Sequence, residues 1–261
     1  TTDANAGVIN MNQLAQTDNS GNTLTLNTQG AGTATIVNAT AVNLAAGTVG
    51  GATSITATLG NIIDAGTFTV SAGGATFVTG ADAASINLGT LAVTGGITLT
   101  TNDSSGADSD ATIVNATAFA FGASTVDGDL SATATLGNIT QSGALTVGGT
   151  GTFVTSADDA DIVLSTTTNA ITGEVSFTTN TSESAAAGTS DVTFDNGVLD
   201  IVFAASTIDG DLVVTSGNVS GITDNGTVTV DADVTLTTDA NAGVINMNQL
   251  AQTDNSGNTL T

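Results

Sequence analysis

The chain contains no Lys, Arg, His, Pro, Cys, Trp or Tyr in 261 residues. Without a cationic side chain, no side-chain salt bridge can form within it. Its 24 acidic residues, for a net charge of −24, can only be solvated, accept hydrogen bonds or bind cations. Nucleic acid is all but excluded as a partner, because phosphate recognition needs basic side chains. Bare anionic membrane is disfavoured for the same reason. Without Cys there is no disulfide, so stability must come from packing and backbone pairing. Without Lys or Arg, trypsin-like proteases have no cleavage site. The apolar runs are short and interrupted by Thr, Asn, Gly or Asp, which leaves no transmembrane helix. A secretion signal, if one exists, lies outside this window.

The absences also remove most catalytic chemistry. A nucleophilic triad lacks its base, a zinc site lacks His and Cys, and a phosphate loop lacks its Lys. No set of acid, base and electrophile can be assembled, so no enzyme activity, catalytic residue or organic cofactor is expected.

What remains is repetitive. Residues 1–25 and 237–261 are the same string, TTDANAGVINMNQLAQTDNSGNTLT, so one long repeat runs over 1–236 and the next begins at Thr237. Nothing marks the copies off from the rest, and the whole of 1–261 reads as one continuous segment of a tandem array. Inside the long repeat lie three diverged units of nearly equal length: 35–111, 112–191, and 192–261 continuing into 26–34. TIVNATAVNLAAGTVGG in the first corresponds to TIVNATAFAFGASTVDGD in the second and VTFDNGVLDIVFAASTIDGD in the third. LGNIIDAGTFTV (59–70) matches LGNITQSGALTV (136–147), and the one-residue length difference that follows falls in a Gly-rich stretch.

Short β-branched or aromatic runs with period-two alternation (FTV, FVT, INL, TIV, FAF) are separated by Gly, Asn and Asp, which predicts strands and turns. Strands this short need neighbours above and below, and a parallel β-solenoid supplies them. The expected fold is all-β, a β-helix of about 20 residues per turn and right-handed by the crossover rule. That gives about four turns per unit, about twelve per long repeat, and an axial length of about 57 Å. The interior is expected to hold Val, Ile, Leu, Ala and a few Phe.

Several residues are candidates for more than packing. Asp158, Asp159 and Asp161 could offer calcium hard oxygen ligands. The position of Asp158 is Asp82 in the first unit and Asn241 in the third, however, which reads as a turn or cap residue. Asp127, Asp129, Asp209 and Asp211 recur in two units, but the first has Gly50-Gly51-Ala52 there, so an obligate metal site is not expected. Diffuse or weak Ca²⁺ binding is the expectation. The Asp158-Asp159 pair is superficially similar to that of the polygalacturonases, whose Gly-His-Gly and Arg/Lys motifs this chain cannot contain. Asn61, Asn138 and Asn218 could stack as an internal amide ladder or cap turns. Asn38 and Asn115 head NAT triplets of the glycosylation type, which arise by chance in such a composition. Thr pairs (67/69, 98/100, 133/135, 227/229, 235/237) suggest an ice- or polysaccharide-binding ladder. Their uneven spacing favours ordinary outward-facing strand residues.

The run LGNITQSGALTVGGTGTFVTSADDADIVLS (136–165) resembles the filamentous-haemagglutinin-like giant β-strand-repeat surface proteins. The resemblance implies a right-handed β-helical shaft at or beyond a bacterial cell surface, in a fibre, stalk or adhesin role. The lack of any basic residue and the identical repetition favour a purely architectural fibre. The partner implied is the protein itself, end to end or laterally, with divalent cations as loose companions. One further expectation concerns pH: mutual repulsion of unpaired carboxylates should make the fold more stable as pH falls.

Overall fold

The computed structural model describes residues 1–3, 5–16, 21–102, 108–166, 168–180, 188–253 and 259–261. Parts of both identical copies therefore lie outside the described residues. Among the described residues every strand pairing is parallel. The chain winds as a β-solenoid with two long sheets, one of 14 strands and one of 15. No helix is long and apolar enough to cross a membrane among the described residues.

The winding follows from alternation. In the strands Ala34–Asn38, Thr53–Ala57 and Ala75–Thr79, first, third and fifth residues are buried and the second and fourth face outward. Ala34 pairs with Thr53, Thr53 with Ala75 and Ala75 with Ile97. One rung therefore takes about 22 residues, close to the expected 20. The corners set the difference. The circuit from Ala34 to Thr53 is short, whereas that from Ile162 to its partner Val192 is half as long again. Corner loops absorb the variation and leave the ladder in register, because only the paired residues must stack.

A typical rung places one five-residue strand in one sheet and two three-residue strands in the other. Thr53–Ala57 is followed by Ile62–Asp64 and Phe68–Val70. The units do not make whole numbers of turns. The ATIVN strand Ala34–Asn38 lies in the 14-stranded sheet, its twin Ala111–Asn115 lies in the other, and the third counterpart, Val192–Asp195, is back in the first. Each unit thus advances by seven half-turns, where four full turns were expected. The long repeat makes about ten and a half turns, or about 50 Å of axis rather than about 57 Å. Successive units are related by a half-turn, and so are successive long repeats: Ile9 sits in one sheet and Ile245, its identical counterpart, in the other.

The core is a single column of side chains between the sheets. All eight Phe are buried there. Phe121, Phe153, Phe177 and Phe194 form a chain of rings crossing between sheets, with centroids 6.3, 5.7 and 5.3 Å apart. Ring contacts of this kind add to simple area burial.

Candidate functional site

The acidic side chains are ordered along the axis. Asp191 N–H donates to Asp161 Oδ1 (3.0 Å), Asp211 N–H to Asp191 Oδ1 (2.8 Å), Asp233 N–H to Asp211 Oδ1 (2.9 Å), and Thr259 N–H to Asp233 Oδ1 (2.6 Å). Each residue stands immediately before its strand, so each carboxylate caps the entry of the next rung. The half-turn relation repeats the device on the other side, where Asp129 N–H donates to Asp110 Oδ1 and Thr150 N–H to Asp129 Oδ1. Asp64 and Asp224, equivalent positions, each accept two backbone N–H groups from the following rung. In the second unit Gln141 stands there and accepts from Thr166 N–H. Asp127 takes the N–H of Ser109, and Asp209 those of Gly188 and Thr189. Much of the acidity thus serves as axial hydrogen-bond acceptors.

Within this column burial is the largest influence on Asp191 and raises its carboxyl above the usual range. The hydrogen bond from Asp211 opposes that, and the charges of Asp211 and Asp161 add to the rise.

Asp158 and Asp159 lie on an exposed turn. Asp159 has φ 57°, as Ala83 and Ala242 do at the same corner (57° and 65°). Asp158 accepts from Asn180 and Asp159 from Thr189 Oγ1. Asp82 accepts from Asn102 Nδ2 in the first unit. Asp161 belongs instead to the axial column. Among the described residues no three acidic side chains converge on a point that could hold a metal ion.

Of the two readings of Asn61, Asn138 and Asn218, the structure favours turn capping over an internal ladder. Asn61 and Asn138 sit at corners and accept the backbone N–H of Ser85 and Asp161 one rung on, while Asn218 caps its own turn through Ser220 N–H. Asn38, Asn115 and Asn196, the corresponding residue of each unit, are all essentially buried, and Asn43 and Asn169 are buried elsewhere in the fold. Asn115 Oδ1 accepts from Val93 N–H (2.8 Å) while its Nδ2 donates to Val93 O (3.0 Å). Asn196 makes the same pair of bonds to Ile171 (2.8 and 2.9 Å), and Asn38 to Gln16 (3.0 and 3.5 Å). Each side chain bonds the preceding rung as a peptide group would. It does so where a long strand of one unit begins to stack on the bent pair or irregular strand before it. The register slips there, between Ile113 and Asn115 in one junction and between Met11 and Leu14 in another. Asn38 and Asn115 are therefore structural amides with no surface to glycosylate. The cue in the sequence was their recurrence at the head of each unit.

The outward hydroxyls also fall into register. Thr35, Ser54, Thr76 and Thr98 occupy one column in four consecutive rungs. Thr112, Ser131, Thr152 and Ser176 do so on the opposite sheet. Of the Thr pairs noted in the sequence, only Thr98/Thr100 touches the first of these columns; Thr69 aligns with Thr48, and Thr229 with Thr207.

A family model described as repeats of unknown function (DUF5649) matches residues 108–178 and 187–259, more than half of the chain. The chain belongs to that family. The two matched segments begin at 108 and 187, a spacing that corresponds to one internal unit. No curated protein and no solved structure matches the chain.

Proposed function

We propose that the protein is architectural: a stretch of β-solenoid shaft in an extracellular or cell-surface filament, built from tandem copies of the long repeat. The observation that carries this reading is the uninterrupted axial ladder. Backbone pairs continue from rung to rung through the unit junctions, a capping carboxylate and a ring contact cross from the second unit into the third, and the buried Asn38 and Asn115 bridge the places where the register slips. A load along the axis would be shared by many parallel hydrogen bonds, as in other repeat proteins whose stability is a sum of neighbouring contacts. The acidic coat would keep shafts soluble and apart, with divalent cations held diffusely. In this role the chain resembles the filamentous-haemagglutinin-like shafts, and it has no catalytic function.

The test is electron microscopy of a concatemer of several long repeats. Thin rods with an axial advance of about 50 Å per repeat are expected. A label fixed at one exposed corner of each repeat should appear on alternating sides. Compact particles, or labels all on one side, would refute the reading.

A further inference from the structure

Among the described residues Asp209 is the only buried acidic residue, 2% exposed at the corner between the strands Ser206–Ile208 and Leu212–Ser216. Buried charges are paired or bound to metal, and this chain has no cationic side chain to pair one. The carboxylate has few hydrogen bonds. Oδ2 accepts two long ones, from Gly188 N–H (3.2 Å) and Thr189 N–H (3.3 Å), and Oδ1 accepts none. Ser190, which follows Thr189, is fully buried, and its Oγ likewise has no partner. Both orphaned oxygens belong to one corner. Gly210 N–H donates to Ser190 O (2.9 Å), and Asp209 N–H to Thr179 Oγ1 (2.9 Å). Orphaned buried oxygens in a native fold call for an explanation, and a bound water or ion is the usual one.

The other units supply a comparison. In the second, Thr101 Oγ1 accepts the N–H of Asp127 and Ser109 O that of Gly128, so Asp127 and Ser109 stand where Asp209 and Ser190 do. Ser109 Oγ is also buried without a partner, while Asp127 is half-buried. In the first unit Thr28 Oγ1 accepts from Gly50 N–H and Gly32 O from Gly51 N–H. Acid and hydroxyl are both replaced by glycine there, and the corner is closed: a Cβ at Gly50 would strike Gly30 O, and one at Gly32 would strike Gly7 O. In these three corners the orphaned hydroxyl occurs only where the carboxylate does.

We propose that the Asp209 corner binds a calcium ion through Asp209 Oδ1 and Ser190 Oγ. Oxygen is the ligand that hard cations take. No convergence of carboxylates is needed, because a single buried charge without any other counterion favours a cation beside it. Magnesium gives up its water reluctantly, and a nearly sealed corner forces dehydration, so calcium is preferred. The net charge of the chain favours a divalent ion over sodium. A water molecule would satisfy the two oxygens but leave the charge buried without a counterion. The Asp127 corner, more open to solvent, is a weaker version of the same site. One copy of the chain carries both corners, so binding needs no filament.

The experiment strips the full chain of metal with a chelator, then melts it with CaCl2, MgCl2 or NaCl at matched ionic strength and follows bound calcium by equilibrium dialysis. Saturable calcium binding is expected, with a rise in Tm of about 5–10 °C at about a hundredfold excess over Kd, well beyond the effect of magnesium or sodium. Asp209→Asn keeps the shape and an acceptor for the Gly188 and Thr189 N–H groups but removes the charge. It should lose the tight site, leaving only the weaker Asp127 corner. Without calcium it should melt above wild type, because no charge is then buried unpaired. An aspartate kept only as a turn cap would do the reverse. Ser190→Ala should weaken calcium binding severalfold and serves if Asp209→Asn folds poorly. Asp82→Asn, at an exposed corner, should leave the tight site unchanged. The proposal is overturned if calcium does not bind saturably, or if magnesium and sodium stabilise equally. It is also overturned if Asp209→Asn binds calcium as tightly as wild type, which would make the binding diffuse. Metal-free Asp209→Asn melting below wild type, with neither responding to calcium, would assign the buried oxygens to water and overturn it too.

Discussion

Replacing Asp191 with Asn should stabilise the solenoid at neutral pH. Asp191 lies in the middle of a column of carboxylates, with Asp161 one rung before it and Asp211 one rung after. Strands in neighbouring rungs are about 4.8 Å apart, so each neighbour costs about 1 kcal/mol even at the screening of bulk water. Against this, the Asp211 N–H would donate to an amide oxygen instead of a carboxylate, a loss of about 1 kcal/mol. Partial burial, the largest cause of the raised pKa, also favours the neutral side chain. The net gain should be about 1 kcal/mol at low salt, a rise of about 2–4 °C in Tm for a chain of this size. Asn fits because Asn138 already stands at the corresponding place one rung before Asp161 and accepts its N–H. The pH dependence has a definite sign. A carboxyl whose folded pKa is raised binds its proton more readily in the fold than in the unfolded chain, so the wild-type protein gains stability as pH falls through that raised value. The gap between variant and wild type should therefore be widest at neutral pH, close in acid and shrink with salt. Urea and thermal unfolding at several pH values read it directly. An Asp191→Asn variant less stable than wild type at pH 7 would refute the reasoning and show that the charge-assisted capping bond outweighs burial and repulsion.

Two further substitutions probe the core and the junctions. Asn115→Ala should cost about 1–3 kcal/mol, because it strands the N–H of Val93 without a partner, whereas the Val93 C=O keeps the Thr117 Oγ1 donor; urea denaturation gives the value, and a loss below about 0.5 kcal/mol would mean that water replaces the amide. Phe177 touches the rings of Phe153, Phe194 and Phe203 and is fully buried. Phe177→Ala should therefore cost about 3–5 kcal/mol, and a near-neutral result would show a core loose enough to collapse around the gap.

Strand character was legible because inward and outward residues alternate within each short run, and corners were legible because Gly, Asn and Asp cluster there. The turn at Asp82, Asp158 and Asn241 could be read from the units alone, since Asp, Asp and Asn at one position are all residues that suit a turn. The role of Asn38 and Asn115 could not. In the chain they head a surface-type triplet, and only the stacking of a long strand on a bent or irregular rung gives each a backbone to bond. The hydroxyl column was hidden for a related reason. Thr35, Ser54, Thr76 and Thr98 are unevenly spaced along the chain, and this unevenness disappears once corner loops take up the slack. The acidic residues looked like a solvated coat because their acceptors' partners, backbone N–H groups one rung away, have no signature in sequence.

By itself the sequence determined a repeating, all-β, disulfide-free and unpaired-acid chain that must stack parallel rungs, because composition and periodicity act locally. Phase was decided only in three dimensions. The identical segment INMNQL is one strand, Ile9–Leu14, where it lies under the long strand Ala34–Asn38. In its second copy it is the end of a bent pair, Ile245–Asn246 and Leu250–Gln252, resting on Ile222–Asp224 and Val228–Val230. A short β segment takes its shape from the rung it pairs with, since its hydrogen bonds are all to that neighbour. Three units of three and a half turns each therefore return the same residues to the opposite sheet.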